Sequence, residues 1–137
     1  MCELCDQPGD IIVKNSEWRV VLVNDTHYPG FCRVIWNQHV KEMTDLSADQ
    51  RGRFMEAVWQ VEAAIREVMQ PHKVNLASLG NVVPHLHWHV IPRFTDDMHF
   101  PNPIWGQVER SVTDSLQQRG ALIEGLKSAI RKKLKEN

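Results

Sequence analysis

The sequence predicts an α+β domain in which an antiparallel sheet packs against one long helix and a C-terminal helix. Three features carry this prediction: short strand-like runs bounded by turn residues, one long amphipathic helix, and a second strand pair followed by another helical pattern. Strands that come in pairs, rather than alternating singly with helices, favour antiparallel pairing. The chain of 137 residues suits one such domain with a single core.

Three strands are predicted in the first 36 residues. The apolar runs at 11–13 and 18–23 flank a short polar cluster at 14–16, which is typical of a hairpin with a tight turn. Residues 24–30 read NDTHYPG, and these turn formers with a final Pro-Gly indicate a loop. The short run at 32–36 follows as a third strand.

The clearest element is a helix over residues 47–70. Ser47 and Gln50 have the spacing of a capping box, in which each side chain accepts a hydrogen bond from the backbone N–H of the other residue. Apolar residues then recur at steps of three and four, so they form one stripe along the helix. The stripe consists of Phe54, Val58, Val61, Ile65 and Val68. Pro71 ends the helix.

Two further strands and a helix are predicted after residue 70. The strands lie at 73–79 and at 85–91, the second between Pro84 and Pro92, which cannot donate to a central ladder. A C-terminal helix is expected over 116–134, although Gly120 and Gly125 lower its propensity. Its apolar stripe would be Leu122, Leu126, Ile130 and Leu134. We therefore divide the chain into a domain at 1–110 and a C-terminal helical tail at 111–137.

Composition argues against several classes of function. The net charge is −1, whereas a protein that binds a nucleic-acid polymer usually carries a basic excess. No apolar run approaches the ~18 residues of a membrane span, and the N-terminus lacks the pattern of an export signal. We therefore expect a cytoplasmic protein with no membrane partner. Its three cysteines are then free thiols or metal ligands.

Residues 85–90 read HLHWHV, which sets three histidines at every second position. Alternate residues of a strand point the same way, so His85, His87 and His89 are predicted to share one face while the apolar residues between them enter the core. Three clustered imidazoles need polar partners, so their face is expected to line a cleft or a metal site.

Two chemistries fit three aligned imidazoles. In one, the histidines bind a catalytic metal, which would need a carboxylate ligand close by; Asp96 and Asp97 are the nearest in sequence. In the other, one neutral imidazole is a nucleophile and its neighbours hold phosphate oxygens, which fits group transfer at phosphorus.

The histidine row and a block upstream of it resemble the histidine triad (HIT) family of nucleotide hydrolases and transferases. The row alternates His with apolar residues and is followed by Pro92-Arg93, like the signature of that family. The upstream block, NDTHYPGFCRVIWNQHVKEMTDLS at 24–47, resembles the family's ribose-contacting loop, Pro-Gly turn, strand and Thr/Ser-led helix. The resemblance covers about residues 2–94 and implies a HIT-like fold. Of the two chemistries, it favours the one in which an imidazole is the nucleophile.

The resemblance implies a role for each histidine. His87 would attack the α-phosphate of a nucleotide and form a nucleotidyl-histidine intermediate that water resolves. His89 would hold the phosphate and assist the leaving group, and His85 would orient the site or ligate a metal. By the same resemblance, substrate-binding residues are Asn24 or Asp25 in the ribose loop and the amides of Asn75 and Asn81.

The implied function is hydrolysis of a dinucleoside polyphosphate or a nucleoside phosphoramidate by a homodimer without an organic cofactor. The alternatives are a nucleotidyl transferase and a catalytically weak nucleotide-binding or zinc-stabilised interaction protein. Two departures from the family pattern bear on activity. Phe31 follows Gly30 where many members have histidine, and Val82 replaces a Ser or Thr hydroxyl. Both remove polar contacts from the implied site.

The stretch CELC supplies a second candidate site. Cys2 and Cys5 form a Cys-x-x-Cys pair that can chelate one soft metal ion. Resemblance to zinc-bearing branches of the family implies His39 and His85 as the other two ligands and a structural role for the zinc. The alternative is that this pair, beside the initiator methionine, is frayed and empty.

Overall fold

The structure is a computed structural model that describes residues 2–134. One sheet contains all its strands: β1 (Asp10–Lys14), β2 (Trp18–Leu22), β3 (Cys32–Trp36), β4 (Lys73–Ala77) and β5 (His87–Arg93). The helices are α1 (Glu3–Asp6), α2 (Ala48–Met69), α3 (Ser115–Gly120) and α4 (Ile123–Leu134), with a 3₁₀ turn at Met43–Asp45. The spatial order is β1-β2-β3-β5-β4, and every neighbouring pair is antiparallel. The predicted α+β class is therefore confirmed.

Helix α2 forms as its sequence predicts. Ser47 Oγ accepts from the backbone N–H of Gln50, and Gln50 Oε1 accepts from the backbone N–H of Ser47 at 2.9 Å. The helix ends at Gln70, whose left-handed backbone (φ 50°) stops the helical turn before Pro71. Four of the five stripe residues are fully buried, and each contributes about 1.5–3 kcal/mol by leaving water.

One face of the sheet packs against α2 and α4. Leu126, Ile130 and Leu134 of α4 are buried in the same cluster as Phe54 and Ile65 of α2. The described part of the C-terminal segment therefore belongs to the main core, and the boundary at residue 110 stays a prediction. No helix within residues 2–134 is long and apolar enough to span a membrane.

The C-terminal helix differs from the prediction of one continuous element over 116–134. It is divided into α3 and α4, with a break at Ala121 and Leu122. Gly120, whose helix propensity is low, ends α3, and Leu122 is left partly exposed rather than in the stripe.

Strand β5 also differs from its predicted bounds of 85–91, because it starts at His87 and continues through Pro92 to Arg93. Pro92 is tolerated because β3 ends at Cys32, opposite Val90, so beyond that point β5 pairs only with β4. His85 is left outside the regular strand, where alternation no longer dictates the direction of its side chain.

Candidate functional site

The face of the sheet turned away from α2 carries a pair of histidines. His87 and His89 lie two residues apart on β5, with Ile35 and Arg33 of β3 directly opposite them. Their ring centroids are 4.8 Å apart and the rings are nearly perpendicular. Each residue is 6% exposed. Trp88 and Val90 enter the core on the other face, as the alternation predicts.

The proton of His87 is located by its hydrogen bond. Nδ1 lies within hydrogen-bonding distance of the backbone oxygen of His85, and a carbonyl oxygen only accepts, so Nδ1 carries the hydrogen. In the neutral ring Nε2 therefore has a free lone pair. Burial lowers the pKa of His87 despite the hydrogen bond to His85, and the nearby charge of Arg33 lowers it further. The ring is thus neutral, and able to act as a nucleophile, at pH 7.

His89 carries its proton on the other nitrogen. Arg33 Nε donates to His89 Nδ1 at 3.4 Å, so Nδ1 accepts and the neutral ring is protonated at Nε2. Burial, followed by the charges of His87 and Arg33, lowers the pKa of His89 to about 3. The two neighbouring rings therefore offer complementary groups: a lone pair at His87 Nε2 and a hydrogen-bond donor at His89 Nε2.

Two aromatic side chains pack around His89. Phe31 contacts it edge-on at 5.6 Å between centroids, and Trp105 does so at 5.0 Å. Phe31 is buried, so the residue that replaces the family's histidine provides an apolar wall. Trp105 is 52% exposed and lies at the rim. These rings exclude water from one side of the pair, which strengthens the electrostatic interactions there.

The third histidine does not join this pair. The His85 ring is fully buried, and its Nε2 donates to the backbone oxygen of Trp36 at 2.6 Å. Its Nδ1 faces the thiols of Cys2 and Cys5 and the Nδ1 of His39. Of the two predicted surroundings, a cleft or a metal site, the His85 ring has the second, and it does not share the face of His87 and His89 because the strand begins only at His87. His85 contacts the pair through its carbonyl group.

Cys2, Cys5, His39 and His85 form a cluster whose ligand atoms all lie within 4.8 Å of one another. Three sulfur–nitrogen distances are 3.4 Å, and the two Nδ1 atoms are 3.2 Å apart. A tetrahedral zinc ion would hold sulfur and nitrogen about 3.6 Å apart and two nitrogens about 3.3 Å apart, given Zn–S of ~2.3 Å and Zn–N of ~2.0–2.1 Å. The hydrogen bond to Trp36 also directs a lone pair of His85 into the cluster. The residues therefore fit zinc.

The four predicted substrate-binding residues lie in three different places. Asn24 is exposed, and Asp25 Oδ1 accepts from the backbone N–H of His27 in the loop after β2. Asn75 lies on β4, and its Oδ1 accepts from Arg93 Nη1 at 2.7 Å. Asn81 lies in the exposed loop before β5. Their contacts with substrate stay predictions.

Arg93 and the acidic residues after it do not belong to the histidine pair. Arg93 forms a buried ion pair with Asp97, at 2.8 Å, and Asp96 pairs with Arg119. Neither carboxylate is therefore free to complete a metal site with the histidines. Within residues 2–134, the metal cluster described above is the one group of His, Cys, Asp and Glu side chains with suitable geometry, and it includes neither His87 nor His89.

The sequence prediction missed Arg33. The sequence does indicate that Arg33 points away from the core, because it alternates with the buried residues Cys32 and Val34 on β3. What the sequence did not contain was the register of β3 against β5, which brings Arg33 opposite His89.

The structure combines a five-stranded antiparallel sheet with a His-x-His pair on the face turned away from α2. This combination agrees with the resemblance of the sequence to the histidine triad family. The family model of the HIT domain matches residues 5–96, and the chain belongs to the HIT domain family.

Two solved structures share the fold. A histidine triad protein from Bradyrhizobium japonicum is 30% identical, with 90% of this chain and 89% of that chain covered and a TM-score of 0.72. A Zn-bound histidine triad family protein from Mycobacterium smegmatis has a TM-score of 0.64 at 19% identity, over 99% of this chain and 97% of that one.

A curated relative is described as an AP-4-A phosphorylase of Mycobacterium tuberculosis. It is 27% identical over 110 residues, which are 76% of this chain and 56% of the relative. The chain therefore matches little more than half the length of that protein.

Proposed function

We propose that the protein is a nucleotide hydrolase that acts through a nucleotidyl-histidine intermediate on His87. The observation that carries this proposal is the pair of complementary groups on adjacent rings. A nucleophile with a free lone pair lies beside a hydrogen-bond donor suited to a phosphate or leaving-group oxygen.

The reaction would proceed in two displacements. His87 Nε2 attacks the α-phosphorus, an N–P bond forms, and the bond from phosphorus to the leaving group breaks. The leaving group keeps that electron pair, stabilised by a hydrogen bond from His89 Nε2–H. A water molecule then attacks phosphorus and gives up a proton to solvent, and the N–P bond breaks so that its electron pair returns to Nε2. His85, whose carbonyl accepts from His87 Nδ1–H, would hold the ring in the reactive tautomer throughout.

The low basicity of His89 favours one class of leaving group. Its pKa of about 3 keeps the ring neutral at pH 7, so it donates a hydrogen bond but is a poor source of a whole proton. A phosphate leaves as an anion and needs no proton, whereas an amine does. We therefore favour a dinucleoside polyphosphate over a nucleoside phosphoramidate as substrate.

A nucleotidyl transferase is the second candidate. The Mycobacterium tuberculosis relative is a phosphorylase, an enzyme in which phosphate takes the place of water as the acceptor. The first displacement would be identical, so the two candidates differ only in what resolves the nucleotidyl-histidine.

We also propose that the cluster of Cys2, Cys5, His39 and His85 holds a structural zinc ion. Four protein ligands leave no open position for substrate, as is usual for structural rather than catalytic zinc. Zinc in the Mycobacterium smegmatis neighbour supports the assignment. These residues would tie α1 to the start of β5.

The homodimer stays a prediction. Trp59 is exposed on α2, and β4 is an edge strand that pairs only with β5, so both surfaces are available for a subunit contact.

The experiment that tests the function is intact-protein mass spectrometry at millisecond-to-second times after mixing with diadenosine tetraphosphate. The wild type is expected to gain the mass of one adenylyl group, and a His87→Ala variant is expected to gain none. Tight binding by the wild type, with neither adduct nor product, would support the binding-protein alternative. Product distribution with and without inorganic phosphate then separates hydrolase from transferase.

A further inference from the structure

Arg33 provides a positive charge next to the histidine pair. It lies on β3 opposite His89, and the side chains of such cross-strand neighbours stand side by side on one face. The Arg33 guanidinium is half-buried and donates through Nε to His89 Nδ1. It also lies 5.9 Å from the centroid of Phe31. Its position is therefore determined by the sheet and by two neighbouring side chains.

Within residues 2–134, no carboxylate forms an ion pair with Arg33, although Glu3 is near enough to raise the pKa of the guanidinium. No carboxylate lies within 4.0 Å of it, and its two terminal nitrogens have no hydrogen-bond partner in this part of the chain. Burial lowers the pKa of Arg33, and Glu3 offsets this only from a distance, so the unfilled terminal N–H groups are suited to an anion. Arg19 on β2, by contrast, donates to backbone oxygens of Leu4 and Pro8 and to Asn37.

Arg33 also connects the histidine pair to the loop after β2. Together with Glu3, Val21, Asn24 and Ile35, it lines a cavity of about 180 Å³ on the same face of the sheet. Arg33 therefore borders both His89 and the cavity that Asn24 lines.

We propose that Arg33 is a phosphate-binding and positioning residue of the His87–His89 site. Its terminal N–H groups bind a non-bridging phosphate oxygen of the nucleotide, and its Nε–H holds His89 in the tautomer that is protonated at Nε2. This inference rests on the proposed function. It also explains how the site compensates for Phe31 and Val82, which lack the polar groups that the family pattern places there: Arg33 provides polar contacts from a different strand.

Isothermal titration of the full chain with AMP and with adenosine tests the phosphate contact, because the two ligands differ only in the phosphate. Arg33→Met keeps the length of the side chain but removes its charge, and we expect it to weaken AMP binding by about tenfold or more. Adenosine binding should change by less than about twofold. Arg33→Lys, which restores the charge, should recover part of the AMP affinity. Arg66→Met removes one charge from an exposed position on α2 and should bind AMP like the wild type.

Imidazole ¹⁵N NMR tests the positioning role without any nucleotide. The wild type should show His89 with a protonated Nε2 and an unprotonated Nδ1. Both Arg33→Met and Arg33→Lys should lose this single tautomer, because neither has an Nε–H in the same place. A merely structural role would not give Arg33→Lys this combination of recovered phosphate binding and lost tautomer.

The possible failures are distinguishable. A wild type that binds neither AMP nor adenosine overturns the proposed function and this inference with it. A wild type that prefers AMP to adenosine, with an Arg33→Met variant that keeps the same preference, overturns the inference alone. An unchanged His89 tautomer in both variants overturns the positioning role.

Discussion

Two arginines on the same sheet face have opposite surroundings. Arg93 on β5 is buried and fully paired: it donates to both carboxylate oxygens of Asp97, to Asn75 Oδ1 and to the backbone oxygen of Asn102. Arg33 on β3 is half-buried and donates only to His89 within the described residues. A charge whose hydrogen-bonding capacity is filled by the chain stabilises the fold, whereas one with unfilled capacity is suited to a ligand. Substitutions around Arg93 and Asp97, the paired region, should therefore change the free energy of unfolding. Substitutions around Arg33, His87 and His89, the open region, should instead change the rate of reaction.

The largest expected effect is on chemistry in the open region. His87→Ala removes the proposed nucleophile, and turnover of diadenosine tetraphosphate should fall by about 10³-fold or more. The free energy of unfolding should change by roughly 1 kcal/mol, because the ring makes few contacts that the core depends on. Steady-state rates and denaturant unfolding of the same samples measure both quantities. Turnover within tenfold of the wild type would rule out His87 as the nucleophile.

The paired region should give the largest loss of stability. Asp97→Asn leaves Arg93 buried without its counter-charge, and we expect the free energy of unfolding at pH 7 to fall by about 3 kcal/mol. Asp114→Asn, at an exposed residue whose side chain makes no capping hydrogen bond, is the matched control and should be almost neutral.

The same variant should show a characteristic pH dependence. Burial alone would raise the pKa of Asp97, but hydrogen bonds from Arg93 and from the amides of Phe94 and Phe100 outweigh it and lower the pKa. The stabilisation is therefore complete above the unfolded-state pKa of about 4 and is lost as the pH falls through the lower folded-state value. Unfolding curves at pH 7, 5 and 3 should show the gap between wild type and Asp97→Asn closing only at the lowest pH. A gap that closes between pH 7 and 5 would contradict this assignment.

Zinc binding to the cluster of Cys2, Cys5, His39 and His85 should change the free energy of unfolding by as much as Asp97→Asn, or by less. With free zinc at 100 times its dissociation constant, the wild type should gain about 3 kcal/mol, measured as a rise in melting temperature. Cys5→Ser removes one ligand at an exposed position, so it should abolish the gain without disturbing the core. Equal zinc responses in the two proteins would mean that the ion binds elsewhere.

The smallest effect should come from the exposed loop between β4 and β5. Val82 is 92% exposed, so Val82→Thr should change the free energy of unfolding by less than about 0.5 kcal/mol. Turnover should also stay within about twofold of the wild type, because this residue packs against neither histidine. A large gain in turnover would show that the family hydroxyl is needed after all.

Local signals account for the parts of the fold that could be predicted from the sequence. The capping box of Ser47 and Gln50 is visible as residue types at a fixed spacing, and α2 begins where that spacing places it. Strand β3 likewise has the predicted bounds, Cys32–Trp36. Both depend on interactions within a few residues, which is why a single sequence is enough.

The features of the fold and the site that the sequence did not predict depend on contacts between distant segments of the chain. The ring of His85 is held by Trp36 and faces the N-terminal cysteines, so the period of two that relates it to His87 does not determine its surroundings. The proposed role of Arg33 depends on the register of β3 against β5, which no local pattern encodes. Similarly, Leu122 has the spacing of the helical stripe, but the break after α3 leaves it partly exposed.

His85 belongs to both sites through different atoms, its ring facing the cysteines and its carbonyl oxygen accepting from His87. Cobalt(II), which absorbs visible light when bound by thiolates and imidazoles, could therefore be substituted for zinc as an optical reporter. A change at His87, the proposed nucleophile, would then reach the bound ion through a single residue, His85. The colour of the cobalt-loaded protein would then follow the proposed adenylylation of His87 in real time, with no label attached to the substrate.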